Sequence, residues 1–163
     1  LLGTCYYELI VDEKKDLSSL LNSKKYFDIV IKKYPNTDFA LDAKFKLDLI
    51  SNILASKEIY IGKYYMSKKK WIPAINRFRN VVNNYEKTEY VEEAIHRLVE
   101  VNYMIGLENE AKKYAALLGY NYQSSEWYKE SYRVFNKDYE DPKDKIKKNK
   151  QNVIIRNFKK LFK

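Results

Sequence analysis

The chain has few of the residues that interrupt regular structure or carry common catalytic chemistry. Its 163 residues include 4 glycines, 3 prolines, 1 cysteine and 1 histidine. So little glycine and proline argues against long irregular loops before residue 136, and the scattered glycines exclude a glycine-rich phosphate loop. A lone histidine cannot build a histidine-based metal cluster or a catalytic triad, and a lone cysteine cannot form an internal disulfide. No apolar run reaches the roughly 18 residues of a membrane-spanning helix.

The single cysteine and the single histidine are both predicted to be structural. Leu2-Gly3-Thr4-Cys5 loosely resembles a lipidation box, but no positive and apolar leader precedes it, and threonine is a poor residue before a modified cysteine. Cys5 is therefore predicted to be unmodified and buried, as a small apolar group. His96 lies beside an apolar helical stripe and is predicted to be a boundary or solvated residue. These features favour a protein without enzymatic activity, cofactor or bound metal.

The net charge of +9 is concentrated near the C-terminal end of the sequence. Residues 136–163 contain ten basic and four acidic side chains, whereas residues 1–135 are nearly balanced. The balanced body and the absence of a recognisable motif argue against nucleic-acid binding. Apolar residues lie among the lysines of the tail: Ile146, Val153, Ile154, Phe158, Leu161 and Phe162. The tail is predicted to be either a flexible, solvated terminus or a basic amphipathic helix that contacts an anionic membrane surface.

A short phrase occurs three times and indicates a repeat protein. Residues 34–39, 85–90 and 122–127 share the pattern Tyr-x-x-[Ser/Thr]-x-aromatic, and each copy precedes a helical pattern. The hydroxyl residue of each copy is predicted to be a helix N-cap: Thr37, Thr88 and Ser125. Pro35 is expected to end the helix before the first copy, because proline lacks the backbone N–H.

The residues before each phrase follow tetratricopeptide spacing. Gly62, Tyr65, Ala74, Phe78 and Val81 fall at positions 8, 11, 20, 24 and 27 of the 34-residue pattern. The preceding unit supplies Gly3 and Tyr6 and then, after a longer loop around residues 12–16, Ser23, Phe27 and Val30. The following unit is degenerate and keeps only the small-residue pattern, at Ala111, Ala115, Leu118 and Gln123. Small residues are needed because the two helices of a unit can approach closely only where side chains are short.

Apolar residues recur at helical spacing throughout the body of the chain. One stripe contains Trp71, Ala74, Ile75, Phe78, Val81 and Val82, and another contains Val91, Ala94, Ile95, Leu98, Val99 and Tyr103. A single long helix is predicted from Phe39 to about Ser67, with Leu47, Ile50, Leu54, Ile61 and Tyr65 as its stripe. The predicted fold is therefore all-α: a tetratricopeptide-like solenoid of antiparallel helix pairs over residues 1–135, with a flexible basic tail over residues 136–163.

Several of these residues resemble one family of bacterial proteins. Residues 34–43, read as YPNTDFALDA, are similar to the YPxSxYAxDA signature of the BamD/ComL family of outer-membrane assembly lipoproteins. Further matches keep their order and spacing over residues 1–135, among them Tyr64-Tyr65, Asn76-Arg77 and Val91-Glu92-Glu93-Ala94. The resemblance implies a non-enzymatic scaffold at the periplasmic face of the outer membrane. It also implies docking to a BamA-type barrel insertase, together with other assembly-complex subunits.

The resemblance also indicates a partner-binding site. Arg77 and Asn76 match the family pattern on the 71–82 helix, and Tyr64 and Glu58 match it on the preceding helix. The planar guanidinium of an arginine can hold a partner carboxylate with two hydrogen bonds. The chain departs from the family where Lys69 replaces a common glycine and where Glu86 and Gln123 replace prolines. It looks like the C-terminal part of such a protein, and a generic tetratricopeptide adaptor that holds a peptide or partner helix in its groove is the alternative.

Overall fold

The computed structural model describes residues 1–8 and 17–137, and all regular structure in those ranges is helical. This part of the chain contains seven helices: α1 (Leu2–Glu8), α2 (Ser18–Lys33), α3 (Asp38–Ser67), α4 (Trp71–Asn84), α5 (Val91–Met104), α6 (Glu108–Asn121) and α7 (Glu126–Phe135). Consecutive helices pack together, and α7 also returns to contact α5. The all-α, tetratricopeptide-like prediction is confirmed. The loop expected around residues 12–16 and nearly all of the predicted tail lie outside the described residues.

Helix α3 packs in two successive units of the solenoid. It is the single long helix that the sequence predicts from Phe39 to about Ser67. Its 30 residues contribute Ile50 and Leu54 to the core shared with α2, and Ala55 and Ile59 to the core shared with α4. After the helix ends, Lys69 adopts a φ of 56°. Glycine adopts this left-handed conformation at lower cost than lysine, so the backbone here is one that favours the glycine expected from the resemblance.

The repeated phrase forms the same turn each time it occurs. The tyrosine of each copy follows the last residue of a helix, and its carbonyl accepts a hydrogen bond from the backbone N–H three residues later. The N···O distances are 3.3 Å for Tyr34, 3.0 Å for Tyr85 and 3.0 Å for Tyr122. Pro35 directly follows the first of these tyrosines, so the helix end predicted there is confirmed.

Two of the three predicted N-caps are confirmed and the third is wrong. The hydroxyl of Thr37 accepts a hydrogen bond from a backbone N–H in the first turn of α3, and the hydroxyl of Ser125 does the same for α7. Thr88 does not cap α5, because an additional turn separates it from the first helical residue, Val91. Its buried hydroxyl instead donates to the Tyr85 carbonyl at 2.7 Å.

Two glycines contact aromatic rings across a helix pair. A Cβ on Gly62 would lie 2.7 Å from Cζ of Phe78, and a Cβ on Gly3 would lie 2.9 Å from Cδ1 of Phe27. Both glycines occupy position 8 of their units, so the predicted need for a small residue where two helices approach closely is confirmed. The ring that each glycine contacts occupies position 24. Phe78 is fully buried in a cluster with Ala55, Ile59, Ala74, Ile75, Val81, Ala94, Leu98 and Val101.

The prediction that Cys5 is buried is wrong. Helix α1 buries Gly3 against α2, whereas Cys5 is exposed. Two residues correspond to a rotation of about 200° around a helix axis, so Cys5 and Gly3 point to nearly opposite sides. Among the described helices α1 contacts only α2, and the side of α1 that carries the thiol has no covering helix there.

The prediction that His96 is a boundary or solvated residue is also wrong. Its side chain is 4% exposed, with Nδ1 2.9 Å from the Ser131 hydroxyl and its ring centre 5.2 Å from that of Trp127. Both partners belong to α7, which covers a face of α5 that would be exposed in an isolated helix pair. Tyr103, predicted as part of the buried stripe, instead lies at the exposed edge of this contact, against Phe135.

Candidate partner-binding site

An ion pair between α3 and α4 forms the centre of the candidate site. Nη1 of Arg77 lies 3.0 and 3.2 Å from the two carboxylate oxygens of Glu58. Arg77 directly precedes the buried Phe78, so the packing of α4 on α3 keeps the arginine at the edge of the helix pair. The Glu58 side chain is 16% exposed and the Arg77 side chain 41% exposed. The acidic member therefore lies deeper, and the basic member faces solvent.

A shallow notch of about 450 Å³ opens beside this ion pair. Its walls, which define the α3–α4 notch, are Glu58, Tyr65, Ile72, Pro73, Asn76, Arg77 and Asn80. Small-molecule sites are usually enclosed and mostly apolar, whereas this notch is open and combines amides, an ion pair and one exposed isoleucine. Such a mixture suits contact with another protein.

The structure brings together three of the four predicted site residues. Glu58, Asn76 and Arg77 line the α3–α4 notch, and Tyr64 does not. The Tyr64 ring is exposed outside the notch and packs edge-on against Tyr65, with ring centres 5.9 Å apart. Tyr65, which the sequence places in the core stripe, packs against the core cluster of α3 and α4 and also lines the notch. The helical period could have indicated Tyr65 as a site residue. It follows Glu58 by seven residues, about two turns, and therefore lies on the same face of α3.

Arg77 retains hydrogen-bonding capacity for a partner. Both hydrogen bonds that it makes within the described residues come from Nη1, and an arginine has five N–H donors in a fixed planar arrangement. The negative charge of Glu58 also affects Tyr85 in the turn after α4, where burial and that charge raise the pKa of the phenol. Tyr85 therefore stays a neutral hydroxyl, and Arg77 is the cationic group of the notch.

The rest of the described chain adds no other evident chemical site. Within residues 1–8 and 17–137, no group of three or more His, Cys, Asp or Glu side chains is placed to hold a metal ion. In the same two ranges, none of the helices combines the length and apolar character needed to cross a membrane.

Comparison with known proteins identifies a family. A family model described as outer membrane lipoprotein, YfiO, matches residues 1–118. The outer membrane protein assembly factor BamD of Rickettsia prowazekii is 48% identical over 136 residues, which cover 83% of this chain and 54% of that relative. The BamD of Caulobacter vibrioides is 39% identical over 136 residues, which cover 83% of this chain and 45% of that relative. This chain thus spans about half the length of these curated relatives.

The comparisons agree with the sequence and the structure. The matched region contains the signature at residues 34–43 and the helix pairs α1–α2, α3–α4 and most of α5–α6. The α3–α4 notch also lies inside it. The chain therefore belongs to the YfiO family of outer membrane lipoproteins, which includes the BamD assembly factors.

Proposed function

We propose that this chain is a non-enzymatic scaffold in the machinery that assembles β-barrel proteins at the periplasmic face of the outer membrane. Family membership supports this role, as does the name of its relatives, outer membrane protein assembly factor BamD. Following the resemblance at residues 34–43 and along the helices, we assign to it the docking part of the role. Its partner is a periplasmic domain of a BamA-type barrel insertase, and other subunits of the complex bind the same solenoid.

The observation that carries this proposal is the ion pair on the wall of the α3–α4 notch. Glu58 holds Arg77 through Nη1, and the remaining N–H groups can bind a partner carboxylate in the planar geometry that arginine favours. Asn76 is exposed beside it and adds an amide donor and acceptor. Ile72 is exposed at the rim and can make an apolar contact. The site therefore suits an acidic residue with an apolar neighbour on the insertase domain.

The test is a binding titration against the isolated periplasmic insertase domain at fixed salt. Arg77→Gln is the variant of choice, because Arg77→Glu would place a second carboxylate beside Glu58. We expect nearly unchanged helix content and a loss of about 1–2 kcal/mol in stability, because Glu58 is 16% exposed and loses its partner. Affinity should fall by about 2–5 kcal/mol, mainly through faster dissociation, if the pair is buried in the complex. The matched control is Arg79→Gln, on the same helix but bonded to Tyr114 away from the notch.

The possible outcomes distinguish a specific contact at Arg77 from a general effect of positive charge and from a different function of the chain. Equal losses for Arg77→Gln and Arg79→Gln would indicate a general effect of positive charge. Unchanged affinity in a folded Arg77→Gln variant would remove Arg77 from the docking site. If the unaltered chain does not bind the insertase domain, the generic tetratricopeptide adaptor becomes the better interpretation.

A further inference from the structure

Helix α4 is rich in asparagine outside its buried face. Four of its 14 residues are asparagine: Asn76, Asn80, Asn83 and Asn84. All four are exposed or half-buried, whereas the 30 residues of α3 include a single asparagine. Asparagine is a weak helix former, because its amide competes for backbone hydrogen bonds. The stability of α4 therefore does not account for these side chains, and their amides are available for another role.

Three of the asparagines form a row with four-residue spacing. Asn76, Asn80 and Asn84 follow one another at intervals of about 6 Å along the helix. Nδ2 of Asn84 donates to Oδ1 of Asn80 at 2.6 Å, and the Asn76 side chain has no hydrogen-bond partner among the described residues. An amide has two N–H donors and an oxygen with two lone pairs, so each side chain keeps both a donor and an acceptor. These three side chains define the α4 asparagine row.

The α4 asparagine row connects the α3–α4 notch with a second groove. Asn76 and Asn80 line the notch. Asn84 lines a groove of about 210 Å³ farther along the same helix pair, together with Asp48 on α3 and Glu86 in the turn after α4. Because Asn80 and Asn84 are hydrogen-bonded to each other, the notch and the second groove form one path along α3 and α4.

The spacing of the row matches that of an extended polypeptide. In an extended segment, every second residue presents its N–H and C=O on the same edge, at intervals of about 6.6–6.8 Å. The asparagines offer a complementary acceptor and donor about every 6 Å. A helical partner would instead satisfy its backbone groups internally. The row therefore suits an extended segment that binds through main-chain hydrogen bonds, which are the source of affinity in strand-like peptide recognition.

Charged side chains at the two ends of the path fix the register of such a segment. At one end, the free N–H donors of Arg77 favour a carboxylate. At the other end, Asp48 and Glu86 are exposed and form no ion pair within residues 1–8 and 17–137. They outnumber the single basic side chain of that groove, Lys87, so this end favours a cation. Glu58, beside Arg77, and Asp48 are about 15 Å apart along α3, a distance that four to five extended residues span.

We propose that the partner docks through an extended segment whose backbone lies along the α4 asparagine row. The segment carries an acidic residue that binds Arg77 and, four positions away, a basic residue that binds Asp48 and Glu86. Residues four positions apart in an extended chain point to the same side, so both reach the path. The proposal rests on the proposed function, because it specifies how the same notch recognises the insertase domain. Main-chain recognition leaves the residues between the two charges free to vary.

The first test titrates the periplasmic insertase domain against single variants of the row. Asn76→Ala, Asn80→Ala and Asn84→Ala should each weaken binding about fivefold, as expected for the loss of a hydrogen bond. The matched control is Asn83→Ala, because Asn83 is exposed on the same helix and lines neither groove. Its affinity should change by less than about twofold. Alanine is a better helix former than asparagine, so all four variants should remain folded.

Two further measurements test the conformation and the register of the bound segment. Hydrogen exchange of the insertase domain, followed by NMR, should show newly protected amides at alternate positions of one segment. Asp48→Asn should weaken binding about threefold, because it removes a carboxylate that faces the basic residue. Asp38→Asn is the control for charge, since Asp38 lies on the same helix but outside this path, and it should leave the affinity unchanged.

Failure of the proposal is distinguishable from failure of the proposed function. If Arg77→Gln weakens binding and the three row variants do not, the asparagine row has no part in docking, while the proposed function stands. New protection at every third or fourth residue would indicate a docked helix and would overturn the proposal. Losses as large for Asn83→Ala as for the row, or for Asp38→Asn as for Asp48→Asn, would also overturn it. If the unaltered chain does not bind the insertase domain, both are overturned.

Discussion

The contact between Gly62 and Phe78 leads to a prediction about the free energy of unfolding. Gly62→Ala should destabilise the unaltered chain but stabilise a chain that lacks the Phe78 ring. In the unaltered chain, the methyl group of Gly62→Ala would overlap a fully buried ring. Overpacking a core costs about 1–3 kcal/mol, and this ring has little room to move, so a value near 3 kcal/mol is expected. Alanine recovers about 1 kcal/mol of helix propensity over glycine. The net destabilisation of Gly62→Ala should therefore be about 2 kcal/mol.

Removing the ring reverses the effect. Phe78→Ala alone should lower the free energy of unfolding by about 3–5 kcal/mol, because it leaves a cavity in a fully buried site. In that background the methyl group of Gly62→Ala enters the vacated space. Only the propensity gain remains, so Gly62→Ala should stabilise Phe78→Ala by about 1 kcal/mol. The coupling energy between the two sites is then about 3 kcal/mol, well above the additivity error for independent sites.

The assay is equilibrium urea unfolding followed by circular dichroism on the four proteins of this cycle. Phe78→Leu can replace Phe78→Ala if the alanine variant unfolds without urea. The control cycle combines Gly62→Ala with Val99→Ala, because Val99 is buried in a different cluster beside Ala111 and Ala115, and this pair should be additive. If Gly62→Ala destabilises Phe78→Ala as much as it destabilises the unaltered chain, overlap with the Phe78 ring is not the cause of the destabilisation.

Two further predictions concern single side chains. Burial opposes ionisation of Glu100, but its interactions with His96 and Arg97 hold its pKa below the ordinary value of 4.5. Its stabilising contribution is therefore present above that pH and is lost as the pH falls through the lowered pKa. The urea midpoints of Glu100→Gln and the unaltered chain should differ at neutral pH and converge at acid pH. The control is Glu110→Gln, whose midpoint should not show this convergence. A gap for Glu100→Gln that stays constant with pH, or the same convergence for the control, would contradict the prediction. Cys5 is exposed, so a thiol reagent should label the native protein about as fast as the urea-unfolded protein, and labelling that requires unfolding would contradict its placement.

The sequence by itself determined the helices, the turns between them and the small residues that let them pack. These features depend on neighbours within a few positions or on the spacing of one repeat unit. The Tyr34 turn is closed by a hydrogen bond from Thr37, and the long α3 follows from an uninterrupted stripe. Gly62 and Phe78 could be assigned to positions 8 and 24 from the repeat spacing, and the structure shows that they touch. The signature at residues 34–43 likewise indicated the family before any fold was known.

The candidate site was predictable only in part. The resemblance indicated Glu58, Asn76 and Arg77, and the structure places all three in the α3–α4 notch. It did not distinguish Tyr64 from Tyr65, because adjacent residues on a helix differ by about 100° in direction. Which of the two faces the notch depends on how α4 crosses α3.

Only the tertiary structure decided which faces of the helices are covered. His96 is buried because α7 returns to pack on α5. Its contact there, Ser131, comes 35 positions later in the sequence. Cys5 is exposed because α1 contacts a single neighbour among the described helices, and a helix with one neighbour buries one side. Glu58 and Arg77 lie 19 positions apart and become an ion pair only after the helix pair closes. Local patterns specify what each helix can bury, but the path of the whole chain specifies what covers it.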